Sequence, residues 1–185
     1  MSDIIETLLS GASPSFDELY SWSLEHLPVM GELEATPQDS LWHAEGDVLI
    51  HTRLVVERCY ELLDAGRVEL ETGERAALVL GALLHDVAKP LCTREREIDG
   101  RVRIVAPHHE SRGRSMLATH LAGMLPYELL DTVMALTGYH NAPKLLVVKE
   151  APAARYRALS RRGSPRLLRW LEEADILGRE CEDKE

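Results

Sequence analysis

Residues 76–84, Ala-Ala-Leu-Val-Leu-Gly-Ala-Leu-Leu, carry no polar side chain, and the chain then sets His85 beside Asp86 shortly before Pro90. A segment apolar on every side reads as a helix buried in the middle of a domain, because no face of it gains by meeting water. A carboxylate at the end of such a helix needs a partner. Burying an uncompensated charge costs several kcal/mol or forces the group to neutralise, and a metal cation removes that cost. Pro90 disfavours helical geometry at Lys89, so His85 and Asp86 are expected in or near the last turn, where the helix dipole is negative and favours a cation. Neighbouring side chains on a helix diverge by about 100°, so the pair would straddle an ion, and further ligands have to come from elsewhere.

The rest of the chain reads as helices around that segment. Of its 185 residues, 45% are apolar and 5% aromatic, with Leu, Ala, Arg and Glu abundant, a balance that suits an all-α domain. One domain over residues 1–185 accommodates this length. Helices are expected at residues 3–10, from a Ser15 cap to about Leu27, and from Asp47 to about Asp64, closed by Gly66. They continue from Thr72 through the buried segment, from His108-His109 to about Leu125, from Pro126 to near Gly138, at Ala151 to Ser160, and from Ser164-Pro165 to about Cys181. Pro28 to Asp39 and Tyr139 to Pro143 read as loops. Residues 94–105 break the helical pattern: charged and apolar residues alternate around Asp99-Gly100, which predicts one small β-hairpin.

A formal charge of −10 argues against a long double-stranded nucleic acid as partner. Arg155, Arg157, Arg161, Arg162, Arg166 and Arg169 still form a local basic stretch suited to guiding a phosphorylated RNA end or a nucleotide. Cys59, Cys92 and Cys181 are far apart, odd in number and without CxxC spacing, which predicts reduced thiols rather than a disulfide framework or a cysteine zinc site. No apolar run approaches the roughly 18 residues of a membrane span, and no basic leader with a long apolar core is recognisable. No membrane partner and a cytoplasmic location are therefore expected.

His51 follows Val48 by three residues and precedes Val55 by four, so it points at the core. Asp175 lies seven and four residues beyond Leu168 and Leu171, and it too faces inward. With His85, Asp86, His108 or His109, and His140, these groups make a set of imidazoles and carboxylates suited to Mn, Fe, Co, Ni or Zn. The set exceeds what one ion needs, so one or two divalent ions are expected.

The order His51, His85-Asp86, His109, His140, Asp175 resembles the HD-domain metal-dependent phosphohydrolase superfamily, over a metal-site core of about residues 42–182. Three runs carry the likeness: Trp42 to Thr52, Ala82 to Pro90, and Ala174 to Arg179. They are similar to the HD branch of bacterial CCA-adding tRNA nucleotidyltransferases, and more so to the amino-terminal HD module of bacterial RNA end-healing enzymes, where it precedes a polynucleotide kinase. The resemblance implies an HD helical bundle in which His51, His85, Asp86 and Asp175 hold one metal ion and His109 and His140 a second, with Asp86 bridging. His109 is preferred to His108 because the family pattern reads His-Glu followed by Arg-Gly, as at His109-Glu110 and Arg112-Gly113. Around His140 the relatives often carry paired histidines, whereas this chain has Tyr139 and Asn141.

A metal pair of this kind lowers the pKa of a bound water, so that hydroxide attacks near neutral pH, and it neutralises charge on the phosphoryl oxygens. Asp86, Lys89 and Arg112 are the candidate catalytic residues, the two cations as phosphate binders next to ligand positions. His43 and Glu45 match family flanks and are assigned to substrate contact or to orienting ligands. By resemblance the activity is hydrolysis of 2′,3′-cyclic phosphate and 2′-phosphate ends of RNA or nucleotides. Within the same superfamily a 5′-nucleotidase or another small phosphate-ester hydrolase is the alternative, and a non-catalytic metal-stabilised binding or regulatory module is a third. The sequence holds no GxxxxGK[ST] run, so a polynucleotide kinase acting with it is expected on another chain or segment.

Overall fold

Every residue from Ala76 to Leu84 is buried, and the other helices are arranged around that segment. The computed structural model describes residues 3–181; the remaining end residues, with Glu182 at the expected limit of the metal-site core, lie outside the described residues. In chain order the elements are α1 (Asp3–Leu9), α2 (Phe16–His26), α3 (Val48–Asp64), α4 (Thr72–Leu84), β1 (Arg94–Ile98), β2 (Arg101–Val105), α5 (His109–His120), α6 (Tyr127–Tyr139), α7 (Ala142–Val148), α8 (Ala153–Ser160) and α9 (Pro165–Leu177). The protein is thus an all-α domain carrying one two-stranded hairpin.

Helix α4 begins where Glu74 Oε2 accepts the Glu71 N–H at 3.1 Å, and it packs against α1, α3, α6 and α9. Gly81 sets the spacing on the α6 side, since a Cβ there would stand 2.8 Å from Leu136 Cδ1. Helix α3 starts at an Asp47 cap, whose Oδ1 accepts the Ile50 N–H at 2.9 Å, and buries Val48, His51, Thr52, Val55, Val56, Cys59 and Leu62. Helix α9 starts at Ser164, whose Oγ accepts the Leu167 N–H, and buries Leu167, Leu168, Leu171, Ala174 and Asp175. The two stripes face each other across the core, which places His51 opposite Asp175. In α5 the buried residues His109, Gly113 and Leu117 recur every four residues against α6.

The hairpin turns through Asp99 (φ 51°) and Gly100 (φ 72°), both left-handed, as a tight two-residue hairpin turn demands. Asp39 ties it to the body: Oδ2 accepts the Ile104 N–H at 3.1 Å and Oδ1 pairs with Arg103 Nη2 at 3.0 Å.

Four boundaries differ from the sequence expectation. Within the Pro28 to Asp39 loop, Pro28–Glu32 forms a 3₁₀ turn. The Tyr139 to Pro143 loop shrinks to His140 and Asn141, because Pro143 lies in the first turn of α7, where its missing N–H is not needed. Helix α7 buries no residue, so its sequence carries no apolar period to announce it. Helix α5 ends at His120 rather than near Leu125, and α9 at Leu177 rather than near Cys181. The chain after α9 is held elsewhere: the Glu180 N–H donates to Glu45 Oε2 at 2.9 Å, and the Glu180 carbonyl accepts the Ala44 N–H at 2.8 Å. The three cysteines are free thiols, with Cys59 buried. Among the described residues no helix is long and apolar enough to cross a membrane.

At the end of α9 the close approach to α3 is a backbone contact. A Cβ on Gly178 would lie 3.0 Å from Val55 N and 2.8 Å from Val55 Cγ2, with no flexible side-chain end to yield. Gly178→Ala is expected to destabilise the fold by about 1–3 kcal/mol, as overpacking does, measured as a lowered midpoint in urea denaturation.

Candidate metal centre

The carboxylate of Asp86, 2% exposed, has its two oxygens directed at two different groups of side chains. Oδ2 lies 3.2 Å from His85 Nε2 and 3.9 Å from His51 Nε2, and it pairs with Lys89 Nζ at 2.6 Å. Oδ1 lies 3.1 Å from His109 Nε2 and 3.8 Å from His140 Nε2. On the first side, His51 Nε2 stands 3.0 Å from Asp175 Oδ1. Two triads result, His51/His85/Asp175 and Asp86/His109/His140, each with its ligand atoms within 4.8 Å of one another.

Local structure sets which ring nitrogen faces inward. His85 ends α4 and His140 ends α6, where the last backbone carbonyls have no helical donor, and His109 begins α5, with Ala106 ahead of the helix. Each histidine uses the carbonyl three residues back: His85 Nδ1 meets Ala82 O at 2.9 Å, His140 Nδ1 meets Thr137 O at 2.9 Å, and His109 Nδ1 meets Ala106 O at 2.7 Å. A carbonyl only accepts, so Nδ1 carries the proton in all three, and in the neutral ring Nε2 is left as a lone pair. His51 sits within α3, where backbone carbonyls are engaged, and it uses Glu45 instead. Glu45 Oε1 lies 2.9 Å from His51 Nδ1 and 2.8 Å from His43 Nδ1.

This donor set fits divalent cations. His109 Nε2 and His140 Nε2 face each other at 3.3 Å, two lone pairs with nothing of their own to share. His85 Nε2 and Asp86 Oδ1 are buried without a hydrogen-bond donor. A cation between such atoms satisfies them; imidazole nitrogen with carboxylate oxygen suits Mn, Fe, Co, Ni or Zn.

The electrostatics agree. Burial disfavours the Asp86 anion, yet His85, Lys89 and His109 hold its carboxyl well below the usual range. Asp175 is likewise held low against burial, by Arg179 and His51. Arg179 pairs with Asp175 through both Nε and Nη2. Burial, reinforced by His85, lowers the His140 pKa and keeps that ring neutral. His51 and His109 are raised, the pull of Asp175, Glu45 and Asp86 exceeding the effect of burial. Protons and metal ions are alternative ways to compensate the same carboxylates.

A cleft of about 250 Å³ opens onto the centre. Its walls are the loop around Gln38, Asp39, Trp42 and His43, the end of the hairpin at Ile104 and Val105, and Lys89, Asn141 and Arg179. Of the residues singled out in the sequence, His51, His85, Asp86, His109, His140 and Asp175 form the centre, and His43, Glu45 and Lys89 border it. His108 is exposed and left-handed (φ 64°) ahead of α5, and His109 turns inward. Arg112 does not reach the cleft: the inward stripe of α5 runs His109, Gly113, Leu117, so a residue one short of Gly113 points out to solvent. The six arginines from Arg155 to Arg169 do not line the cleft either; Arg166 is tied to Glu74 and Arg169 lies over Trp170.

Sequence reasoning gave no role to Arg179, Gln38 or Asn141. Gln38 Oε1 accepts from Lys89 Nζ at 2.6 Å, and Asn141 Nδ2 approaches His140 Nε2 at 3.0 Å. Arg179 had a signal, its i,i+4 spacing from Asp175, and Asn141 its place next to His140; Gln38 arrives through tertiary contact.

A family model for the HD domain matches residues 48–179. The chain belongs to the HD-domain family. HD domains are a superfamily of metal-dependent hydrolases, and the two triads are the groups that would supply histidine and aspartate ligands here. No curated protein and no solved structure shows a significant match to the chain.

Two outcomes are expected for this HD domain. Glu45→Gln removes the charge behind His51, and metal affinity measured by calorimetry should fall about 10–100-fold with the circular dichroism spectrum unchanged. Glu172, on α9, is pushed up to about 7, chiefly by burial. Its ordinary value is 4.5, so between those pH values the unfolded chain ionises first and stability is lost as pH rises. Glu172→Gln should therefore flatten the fall in melting temperature between pH 5 and pH 8, read by scanning calorimetry.

Proposed function

We propose that this protein is a divalent-metal-dependent phosphoesterase that opens 2′,3′-cyclic phosphates and removes 2′-phosphates at the ends of RNA or nucleotides. The observation that supports hydrolysis is Asp86: one carboxylate with one oxygen toward His85 and His51 and the other toward His109 and His140, on an open cleft. His51, His85 and Asp175 would hold one cation, His109 and His140 a second, with Asp86 shared between them. When bound, such ions supply a water of lowered pKa and neutralise charge on phosphoryl oxygens.

The chain's own groups fix the geometry around that chemistry. The backbone carbonyls of Ala82, Ala106 and Thr137 hold three imidazoles in one tautomer and orientation, and Glu45 stands behind the fourth, His51. Lys89, steadied by Asp86 and Gln38, places an ammonium on the cleft wall, where it donates to a phosphoryl oxygen as a point charge. Arg179 spends its charge on Asp175 and so steadies a ligand rather than the substrate. Trp42, 39% exposed on the cleft wall, offers a flat face on which a nucleobase stacks. The sequence runs at Trp42 to Thr52, Ala82 to Pro90 and Ala174 to Arg179 support an RNA end as the substrate, through their likeness to RNA end-healing modules.

The test is hydrolysis by metal-stripped protein with Mn, Ni, Co, Mg or Zn restored in turn, using 2′,3′-cyclic AMP, 2′-AMP, 3′-AMP and 5′-AMP. Metal-dependent turnover of the 2′,3′-cyclic and 2′ compounds is expected, and Asp86→Ala should abolish it. Preference for 5′-AMP would make the protein a 5′-nucleotidase. Metal binding without turnover of any ester would leave a metal-stabilised module.

A further inference from the structure

The strand register sorts the charges of the hairpin onto opposite faces. Directly paired residues share a face, and the pairs are Arg94 with Val105, Arg96 with Arg103 and Ile98 with Arg101 on one side, against Glu95 with Ile104 and Glu97 with Val102 on the other. One face thus carries four arginines and no acid, while the acids are confined to the reverse. Arg96 and Arg103 are opposed directly, a like-charge pair that weakens a hairpin standing alone. Strand β1 is exposed throughout and β2 is exposed near the turn and half-buried from Arg103 to Val105, with no residue in the core, so core packing does not account for the arrangement.

The basic face also has a direction. At the base of the hairpin Val105 and, from the reverse face, Ile104 line the cleft, and it is the basic face whose Arg103 is anchored to Asp39, another cleft residue. Arg94 stands beside Val105, and Arg96 and Arg101 follow toward the turn. Arg94, Arg96 and Arg101 are exposed, and among the described residues no carboxylate pairs with them. From the first to the third pair the face extends about 14 Å at the usual strand rise, farther than a lone nucleotide seated in the cleft reaches.

We infer that the Arg94/Arg96/Arg101 face of the hairpin is a docking track for the phosphate backbone of a single-stranded RNA whose terminal phosphate occupies the metal cleft. This rests on the phosphoesterase reading and narrows it, from nucleotides to strand ends. Arginine forks donate to phosphodiester oxygens without reading sequence, so the track selects for length rather than base identity. In a protein of net charge −10, the acid-free face is where a polyanion approaches without repulsion.

The test compares the full-length, Mn-loaded protein with an Arg94→Gln/Arg96→Gln/Arg101→Gln variant, leaving Arg103 to anchor the Asp39 loop. A Glu95→Gln/Glu97→Gln variant controls for the reverse face. Substrates are 2′,3′-cyclic AMP and an RNA decamer ending in a 2′,3′-cyclic phosphate; binding of a fluorescent decamer is followed separately by anisotropy. The wild type should favour the decamer in kcat/KM by about tenfold or more, and the triple variant should lose that preference while hydrolysing 2′,3′-cyclic AMP normally. The salt slope of decamer binding should fall by about 2, at about 0.7 per phosphate contact on a single strand, and the control variant should change neither quantity. Equal decamer binding and turnover in wild type and triple variant would overturn the docking track and leave the phosphoesterase intact. Weakened decamer binding in the triple variant, with no ester hydrolysed by either protein, would overturn the phosphoesterase reading and not the track.

Discussion

The buried charge of Asp86 is the constraint on which the rest of this molecule depends. An isolated carboxylate at the end of an apolar helix would neutralise or unfold its surroundings. Here its oxygens are divided between two groups of imidazoles, with Lys89 alongside, and the carboxyl stays ionised. Those partners come from α3, α5 and the turn after α6, so the helices must pack around the end of α4 to bring them in. Folding and the assembly of the site are in this sense one event.

The same economy appears in how the histidines are held. Three lie at helix ends and take their orienting acceptor from the carbonyl three residues back, so position at a terminus and tautomer are set together. His51, inside α3, has no such acceptor and depends on Glu45, which comes from the preceding loop. That loop is itself held by the chain leaving α9, through the Glu180 N–H on Glu45 and the Ala44 N–H on the Glu180 carbonyl. Asp175 and its Arg179 partner lie on the same stretch, so the first triad is closed by residues more than a hundred positions apart in sequence. The close contact of Gly178 with Val55 is what lets the two helices meet there.

Net charge describes the protein poorly at the scale on which it works. The domain is acidic overall, yet its cleft wall holds Lys89, and the hairpin rising from that wall segregates arginine to one face and glutamate to the other. Alternation at a period of two carries this information, and summed charge discards it. The basic stretch between Arg155 and Arg169 shows the converse: dense in sequence, it is placed on helices away from the cleft, with Arg166 engaged by Glu74.

By itself the sequence determined the elements whose patterns are local. The unbroken apolar run made α4 central, the spacing of His51 and Asp175 from neighbouring apolar residues turned both inward, and Asp99-Gly100 closed a hairpin. Caps at Ser15 and Ser164 were readable because each is a contact between residues three apart. Only the tertiary structure decided what depends on two distant segments meeting. It sent Arg112 to solvent, formed α7 without an apolar period, stopped α9 early to reach Glu45, and placed Gln38 beside Lys89 at the centre. A hydrogen bond or ion pair between remote residues leaves no period in either segment, and so the chain has to be folded before it can be read.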